Sequence, residues 1–163
     1  GEVSLYSFKP SPLRGLGASG SDWRAGLTQA LGRSSDNQSP MEQLKMDKAF
    51  VEHFAEDWIA SWNAQDLERI LSHYADDFEM SSPVIIQVTG ESSGTLRGKA
   101  PVGAYWKKAL GLIPDLQFEL LSVLAGVNSI TLYYKGARGR LAAEVFHFGS
   151  DNKVVRAFAH YAV

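Results

Sequence analysis

An acidic side chain stands within an apolar alternation near the end of the chain. One face of this segment carries Ala142, Glu144, Phe146 and Phe148, because successive residues of a strand point to opposite faces of a sheet. If that face is concave, Glu144 lies in an apolar pocket, and burial raises the pKa of its carboxyl. Such an acid can move a proton near neutral pH. An exposed edge position, or pairing with Arg156 across a hairpin, is the alternative.

Histidine is the second candidate for proton chemistry. His160 lies in the last apolar segment, where it would sit beside Glu144 on the adjacent strand. A His–Glu pair of this kind can activate water or shuttle a proton in a dehydration. A position on the outer face of the sheet is the alternative for His160. His147 has the opposite parity to Glu144, and His53 and His73 fall on the polar sides of helices.

Aromatic side chains are predicted to form the wall of the pocket. Trp58, Trp62 and Trp106 lie at helical spacings that turn them toward the sheet, and Phe146 shares the face of Glu144. Ligand pockets combine such apolar walls with a few polar groups, and the hydroxyl of Tyr74 is one candidate. Ordinary core packing is the alternative for each Trp.

Several other chemistries find no support in the sequence. The chain has no Cys, which excludes disulfides and thiol catalysis. It has no His-Glu-x-x-His pattern or comparable metal-ligand spacing. Residues 15–20 match the dinucleotide fingerprint G-x-G-x-x-G, but that motif works only between a strand and a helix. Pro10 and Pro12 stand where the strand would be, so the match is interpreted as a flexible Gly/Ser loop. We therefore expect neither a metal nor a cofactor.

Composition restricts the class of partner. The net charge is −2 and 21% of the residues are charged, without the basic patch that nucleic-acid binding requires. The densest basic segment, residues 135–140, is interpreted as a solvated hairpin turn. No apolar run approaches the roughly 18 residues that span a bilayer. We therefore expect no nucleic-acid or membrane partner, with the cytoplasm as the default location.

Three helices are predicted in the first part of the domain. Phe50, Phe54, Trp58 and Trp62 are four residues apart, which indicates one apolar helix face. Asp66 can cap a second helix that reaches Tyr74. Residues 78–89 are interpreted as strand material that is broken at Pro83. A third helix begins after Gly98 and ends before Pro114.

Four strand candidates complete the chain, at residues 116–124, 129–135, 141–148 and 154–163. Their connections are short enough for hairpins, which predicts antiparallel pairing. Helices followed by a meander are typical of an α+β fold. We expect a cone-shaped, curved antiparallel sheet with the three N-terminal helices packed on its concave face.

The composition changes near residue 40. Residues 1–45 form an N-terminal extension rich in Ser, Gly and Pro, and residues 46–163 form the domain. Met41 is the first methionine. Either translation begins there and the preceding residues are upstream sequence, or the extension is genuine and folds over the domain or reaches a neighbouring subunit.

Eight short segments of the domain resemble the nuclear transport factor 2-like superfamily, and within it the SnoaL-like proteins. Their order and spacing across residues 46–163 carry the resemblance, since each segment alone is weak. The segments are WIASWNAQDL at 58–67, YADDF at 74–78, SP at 82–83, GKA at 98–100, YW at 105–106, IPDL at 113–116, EVFHF at 144–148 and KVV at 153–155.

The resemblance implies the fold but leaves the function open. The superfamily includes ketosteroid isomerases, scytalone dehydratase, limonene epoxide hydrolase, polyketide cyclases and non-enzymatic transport or docking proteins. It also implies a homodimer that forms through the sheet face away from the pocket.

Three positions carry the chemistry of the isomerases in this superfamily. A Tyr on the first helix and a protonated acid on a late strand donate hydrogen bonds to an oxyanion, and an Asp before a Pro moves the proton. Here the acid position falls on Glu144, the Tyr position on Trp58 and the Asp position on Ser82. Trp58 is no acid and Ser82 is no base, so ketosteroid isomerase activity is not expected. Ser82 joins the predicted ligand-binding residues through this correspondence.

The sequence thus predicts a protein that binds a small apolar or aromatic molecule in an internal pocket. Glu144 and His160 are the candidate catalytic residues, for lyase, isomerase or epoxide-hydrolase chemistry. A non-catalytic ligand-binding or protein-docking module is the alternative.

Overall fold

The computed structural model describes residues 46–163, and the N-terminal extension and its fingerprint-like loop lie outside the described residues. The helices are α1 (Lys48–Asn63), α2 (Leu67–Ser72), α3 (Pro83–Thr89) and α4 (Lys99–Leu112), and the strands are β1 (Tyr74–Ser81), β2 (Thr95–Arg97), β3 (Glu119–Gly126), β4 (Ser129–Lys135), β5 (Leu141–Phe148) and β6 (Val154–Tyr161). A 3₁₀ turn, Ala137–Gly139, connects β4 to β5.

The predicted α+β fold class is confirmed. One curved sheet of six strands, in the order β2-β1-β6-β5-β4-β3, does not close on itself. All four helices precede strands β3 to β6 in the chain. Strands β3 to β6 form the predicted antiparallel meander. The pairing of β1 with β6 is parallel, so the expectation of a purely antiparallel sheet is wrong at this one ladder.

The long first helix confirms the apolar stripe. Asp47 caps α1 by accepting a hydrogen bond from the Ala49 N–H at 3.2 Å, which satisfies one of the free donors at a helix start. Phe54 then packs edge-to-face against Phe146 and Phe148 of β5, with 5.0 Å between ring centroids in both pairs. This contact fixes α1 across the inner face of the sheet.

The segment between the first and last helices departs from the sequence prediction. Helix α2 ends at Ser72, and Tyr74 begins β1. The apolar residues after Pro83, predicted as a strand, form the short helix α3. Ser82 caps α3 and Pro83 lies in its first turn, while Gly90 ends it in the left-handed region, with a φ of 79°. These start and stop residues override the β-branched composition of the segment.

The last strand contains an irregularity that reverses its side-chain parity. Phe148 pairs with Val154 and His147 pairs with Arg156, so β6 has one extra residue at this point. Such a bulge moves every following side chain to the other face. Val154, Ala157 and Ala159 therefore point inward and are buried.

A polar cluster joins α1 to α2 outside the core. The Asp57 carboxylate accepts hydrogen bonds from Arg69 Nε, at 3.2 Å, and from Arg69 Nη2. His73 Nε2 lies 2.8 Å from the second oxygen of Asp57, so His73 is not the surface residue that the sequence suggested. The hydrogen bonds from Arg69 lower the pKa of Asp57, with His73 contributing in the same direction.

Asp57→Asn is expected to lower the free energy of unfolding by about 1–2 kcal/mol, because a charge-assisted fork is lost at a partly exposed site. Since the folded pKa of Asp57 is depressed, this contribution is complete above an unfolded pKa of about 3.9 and disappears as the pH falls through the folded value. Urea unfolding at several pH values measures it. Glu56→Gln, an exposed neighbour, is the control, and equal effects of the two substitutions would contradict the role of Asp57.

No helix within residues 46–163 is long and apolar enough to cross a membrane.

Candidate functional site

A cavity of about 170 Å³ lies between the helices and the inner face of the sheet. Three predicted ligand-binding residues, Trp58, Trp62 and Trp106, line it, as does Glu144. The rest of its apolar wall consists of Met80, Val84, Ala109, Leu110, Ile113, Leu116, Phe118, Gly136 and Ala137. An apolar protein cavity of about 150 Å³ is large enough to hold benzene, so this one has room for a single ring.

Among residues 46–163, Glu144 is the only acidic side chain in the wall of this cavity. It is 4% exposed, within the inward alternation of β5. Burial raises its pKa from 4.5 to about 7, although the hydrogen bond that it receives from Tyr134 works in the opposite direction. Desolvation dominates because a buried carboxylate loses its hydration and gains only one hydrogen bond in return. The side chain is therefore a carboxylic acid that titrates near neutral pH.

Tyr134 is the partner of Glu144 and was missed by the sequence analysis. Its hydroxyl donates to Glu144 Oε2 at 3.1 Å. The β4–β5 hairpin sets Leu132 opposite Glu144 and Tyr134 opposite Ala142, so Tyr134 is the diagonal neighbour of the acid. The signal was present in the short connection after Lys135, which fixes this register. Within residues 46–163, Glu144 makes no other side-chain hydrogen bond.

Tyr105 and Tyr161 also line the cavity and contribute two phenol hydroxyls. Burial raises the pKa of each phenol, so both hydroxyls keep their protons at neutral pH. The Tyr161 hydroxyl lies 3.5 Å from Ser82 Oγ. Tyr161 was also missed, because it reaches the inner face only through the bulge in β6.

Arg140 stands at the exposed side of the cavity, immediately before β5. Its Nε and Nη2 donate to the carbonyl oxygen of Ala162 at 3.2 and 3.0 Å, and its guanidinium lies 5.2 Å from the ring centroid of Tyr161. From the sequence, Arg140 was expected to lie in a solvated turn. The structure places it in the cavity wall.

The predicted pairing of His160 with Glu144 is wrong. Ala159 is opposite Glu144, and His160 is opposite Ala143, with its side chain exposed. The bulge in β6 is the physical reason, since it turns His160 to the outer face. His147 points away from the cavity side, as predicted, and its ring lies edge-to-face against Phe158.

Three further predicted ligand-binding residues lie behind the wall rather than in it. Tyr74 is fully buried, and its hydroxyl accepts a hydrogen bond from Trp58 Nε1 at 3.0 Å. Phe146 packs between Phe54 and Trp58. Ser82 Oγ accepts from the Val84 N–H at 3.1 Å as the cap of α3. All three support the cavity without lining it.

The SnoaL-like domain model matches residues 55–157, which is more than half of the chain. The chain belongs to the SnoaL-like family. Among proteins with curated functions, none matches the sequence.

Solved structures of SnoaL-like and related proteins agree with this assignment. A SnoaL-like protein of unknown function from Burkholderia thailandensis is 60% identical, with a TM-score of 0.71, and the match covers 73% of this chain and 99% of that one. A protein of unknown function with a cystatin-like fold from Methylobium petroleophilum PM1 is 14% identical (TM-score 0.59; 73% and 80% covered). An NTF2-like protein of unknown function from Cytophaga hutchinsonii is 11% identical (TM-score 0.54; 69% and 89% covered). The last two matches show the fold alone.

The geometry also bears on isomerase chemistry in this SnoaL-like domain. The Trp58 N–H already donates to Tyr74, so it is not free to stabilise an oxyanion. Ser82 caps a helix and has no basic group. Glu144 is the one of the three isomerase positions that keeps an acid. No cluster of three potential metal ligands occurs within residues 46–163.

Proposed function

We propose that this SnoaL-like domain binds a small, mostly apolar molecule that carries a hydrogen-bond acceptor, and that Glu144 acts on the acceptor as a general acid. The observation that carries the proposal is Glu144 itself, a buried carboxyl in the wall of an aromatic cavity with a pKa of about 7. Acidic side chains are rarely fully buried without a charged partner, and carboxyls with perturbed pKa values in clefts mark candidate sites.

The protonation state of Glu144 determines which ligand groups it can bind. When Glu144 is neutral, Oε2 accepts from Tyr134 and the acid proton remains to be donated to a ligand. A carbonyl, hydroxyl or epoxide oxygen is the matching acceptor. Donation to such an oxygen in a dry cavity polarises the bond next to it, which is the first requirement of an isomerase, lyase or epoxide hydrolase.

The size of the cavity limits the ligand to about one ring. Typical drug-sized pockets have volumes of about 300–1,000 Å³, whereas this cavity has about 170 Å³. Cyclohexanone is therefore a suitable probe, with methylcyclohexane as the matched hydrocarbon that lacks an acceptor.

The pH dependence of ligand affinity tests the proposal. In the wild type, the affinity for cyclohexanone is expected to fall by up to about tenfold in total above about pH 7, because ionised Glu144 can no longer donate its hydrogen bond and only the apolar contacts remain. In Glu144→Gln the affinity is expected not to change with pH, since the amide donates at every pH. NMR titrations from about pH 5.5 to 8.5 measure both.

The control is Glu119→Gln, which changes an exposed acid of β3 that pairs with Lys135 and should behave like the wild type. Cyclohexanone affinity that does not vary with pH in the wild type, or that is no higher than that of methylcyclohexane, would contradict the proposed role of Glu144.

The docking-module alternative gains less support, because within residues 46–163 no side chain fills the cavity and Glu144 forms no salt bridge. The homodimer through the outer sheet face stays a prediction.

A further inference from the structure

We infer that the ligand of this cavity carries an anionic group, which Arg140 binds at the entrance while the ring lies inside. The inference rests on the proposed function and specifies its ligand class as a single-ring carboxylate. Its basis is the pair of side chains in one wall, the buried carboxyl of Glu144 at the inner end and the permanent cation of Arg140 at the exposed end.

Within residues 46–163, the contacts of Arg140 leave its charge uncompensated. Nε and Nη2 donate to a neutral carbonyl oxygen, that of Ala162, and the guanidinium rests over the ring of Tyr161. None of the salt bridges within residues 46–163 includes Arg140. A guanidinium has five N–H donors, and the bonds to Ala162 use only part of them, so donors remain for a ligand.

A guanidinium fixed in this way favours a carboxylate as its partner. Its planar fork matches the two oxygens of a carboxylate, and less side-chain entropy is lost when the fork is already oriented. The turn before it also contributes, since Arg138 adopts a left-handed φ of 56° and Gly139 a φ of 75°. Gly136, Ala137 and Arg140, which flank these two residues, line the cavity.

The spacing of the two charged residues suits a ring with substituents at both ends. Arg140 and Glu144 are four residues apart in extended chain, which separates their Cα atoms by about 13 Å. Both residues line the same cavity. A ring with a carboxylate at one end and an oxygen at the other can meet Arg140 and Glu144 together.

The test compares two ligands of equal shape, 4-hydroxybenzoate and its neutral counterpart 4-hydroxybenzamide, at about pH 6, where Glu144 is protonated. The wild type is expected to bind the carboxylate about two- to fivefold more tightly, the range of an ion pair at a partly exposed site. Arg140→Gln should remove that preference by weakening the binding of the carboxylate more than that of the amide. Isothermal titration calorimetry measures all four affinities.

Arg138→Gln is the matched control, because Arg138 is exposed in the same turn and does not line the cavity. It removes the same charge and should keep the preference for the carboxylate. Equal losses in the two variants would mean a diffuse charge effect and would overturn the inference.

Two further outcomes separate this inference from the proposed function. If the amide binds but the carboxylate binds no better, the inference fails and the proposed function stands. If Arg140→Gln weakens both ligands equally, Arg140 has only a structural role and the inference fails. If neither ligand binds, the proposed function and the inference fail together.

Discussion

Glu144→Gln is expected to raise the free energy of unfolding at about pH 8 by about 3 kcal/mol and to change it little at about pH 4.5. The unfolded chain loses the Glu144 proton near its ordinary pKa, whereas the folded protein keeps it to about pH 7. Between these values the folded state binds more protons, so stability falls by about 1.4 kcal/mol for each pH unit. Above pH 7 both states are ionised, and the loss is complete.

The amide of Gln removes this dependence because it does not titrate. Subtracting the stability of the variant from that of the wild type at each pH isolates the contribution of Glu144 from every other group. Urea unfolding followed by tryptophan fluorescence gives both curves. Glu119→Gln, at an exposed site, should reproduce the wild-type curve. If the wild type and Glu144→Gln had parallel curves across this range, the carboxyl could not be the neutral acid described above.

Trp58→Ala is expected to lower the free energy of unfolding by about 3–5 kcal/mol, the range for removing a buried aromatic side chain. Trp58 is 1% exposed, and its ring contacts those of Trp62, Phe118, Tyr134 and Phe146. Removing the side chain also enlarges the ligand cavity, because Trp58 lines it. Leu124→Ala, at a 60% exposed position, is the control and should cost less than about 0.5 kcal/mol. Similar effects of both substitutions would contradict the packing role of Trp58.

The hydrogen bond of Trp58 can be separated from its packing. Trp58→Phe keeps much of the ring but leaves the buried Tyr74 hydroxyl without its donor, at a cost of about 1–3 kcal/mol. A double-mutant cycle with Tyr74→Phe isolates the pair. If the double variant lost the full sum of the two single effects, the hydrogen bond would contribute nothing.

The sequence was sufficient for the elements with strong local periodicity. The four-residue spacing of Phe50 to Trp62 predicted α1, and strict alternation in β5 placed Glu144 on the inner face with its pKa raised. The prediction of α1 depends only on the repeat of one element, whereas the placement of Glu144 on the concave face rested on the family resemblance as well as on the alternation of β5. The structure confirms those placements.

The errors arose where distant chain segments decide the local structure. Tyr74 continues the apolar spacing of α2, but the pairing of β1 with β6 draws it into a strand, with the Val154 N–H donating to the His73 carbonyl at 2.9 Å. Helix α3 was different, because its signals were present in Ser82, Pro83 and Gly90. There the capping residues determine the helix, and the β-branched composition of the segment does not.

The identity of the other residues that face the cavity with Glu144 depends on how the neighbouring strands are paired. A bulge of one residue exchanges His160 for Tyr161 on the inner face, and no residue type in β6 marks its position. Tyr134 and Arg140 reach the cavity through the β4–β5 turn, whose geometry is set by Arg138 and Gly139 in left-handed conformations. A basic turn on the surface and one that lines a cavity have the same sequence signature.

A direct titration of the Glu144 carboxyl is the most decisive measurement. NMR spectroscopy of the protein labelled with ¹³C at the Glu side-chain carboxyls, with Glu144 assigned by its absence in Glu144→Gln, reports the pKa of each acid. One carboxyl that titrates near pH 7 and is missing in the variant is the expected result. If Glu144 instead titrated with the exposed acids near 4.5, it would be ionised at neutral pH, and the cavity would not contain a general acid.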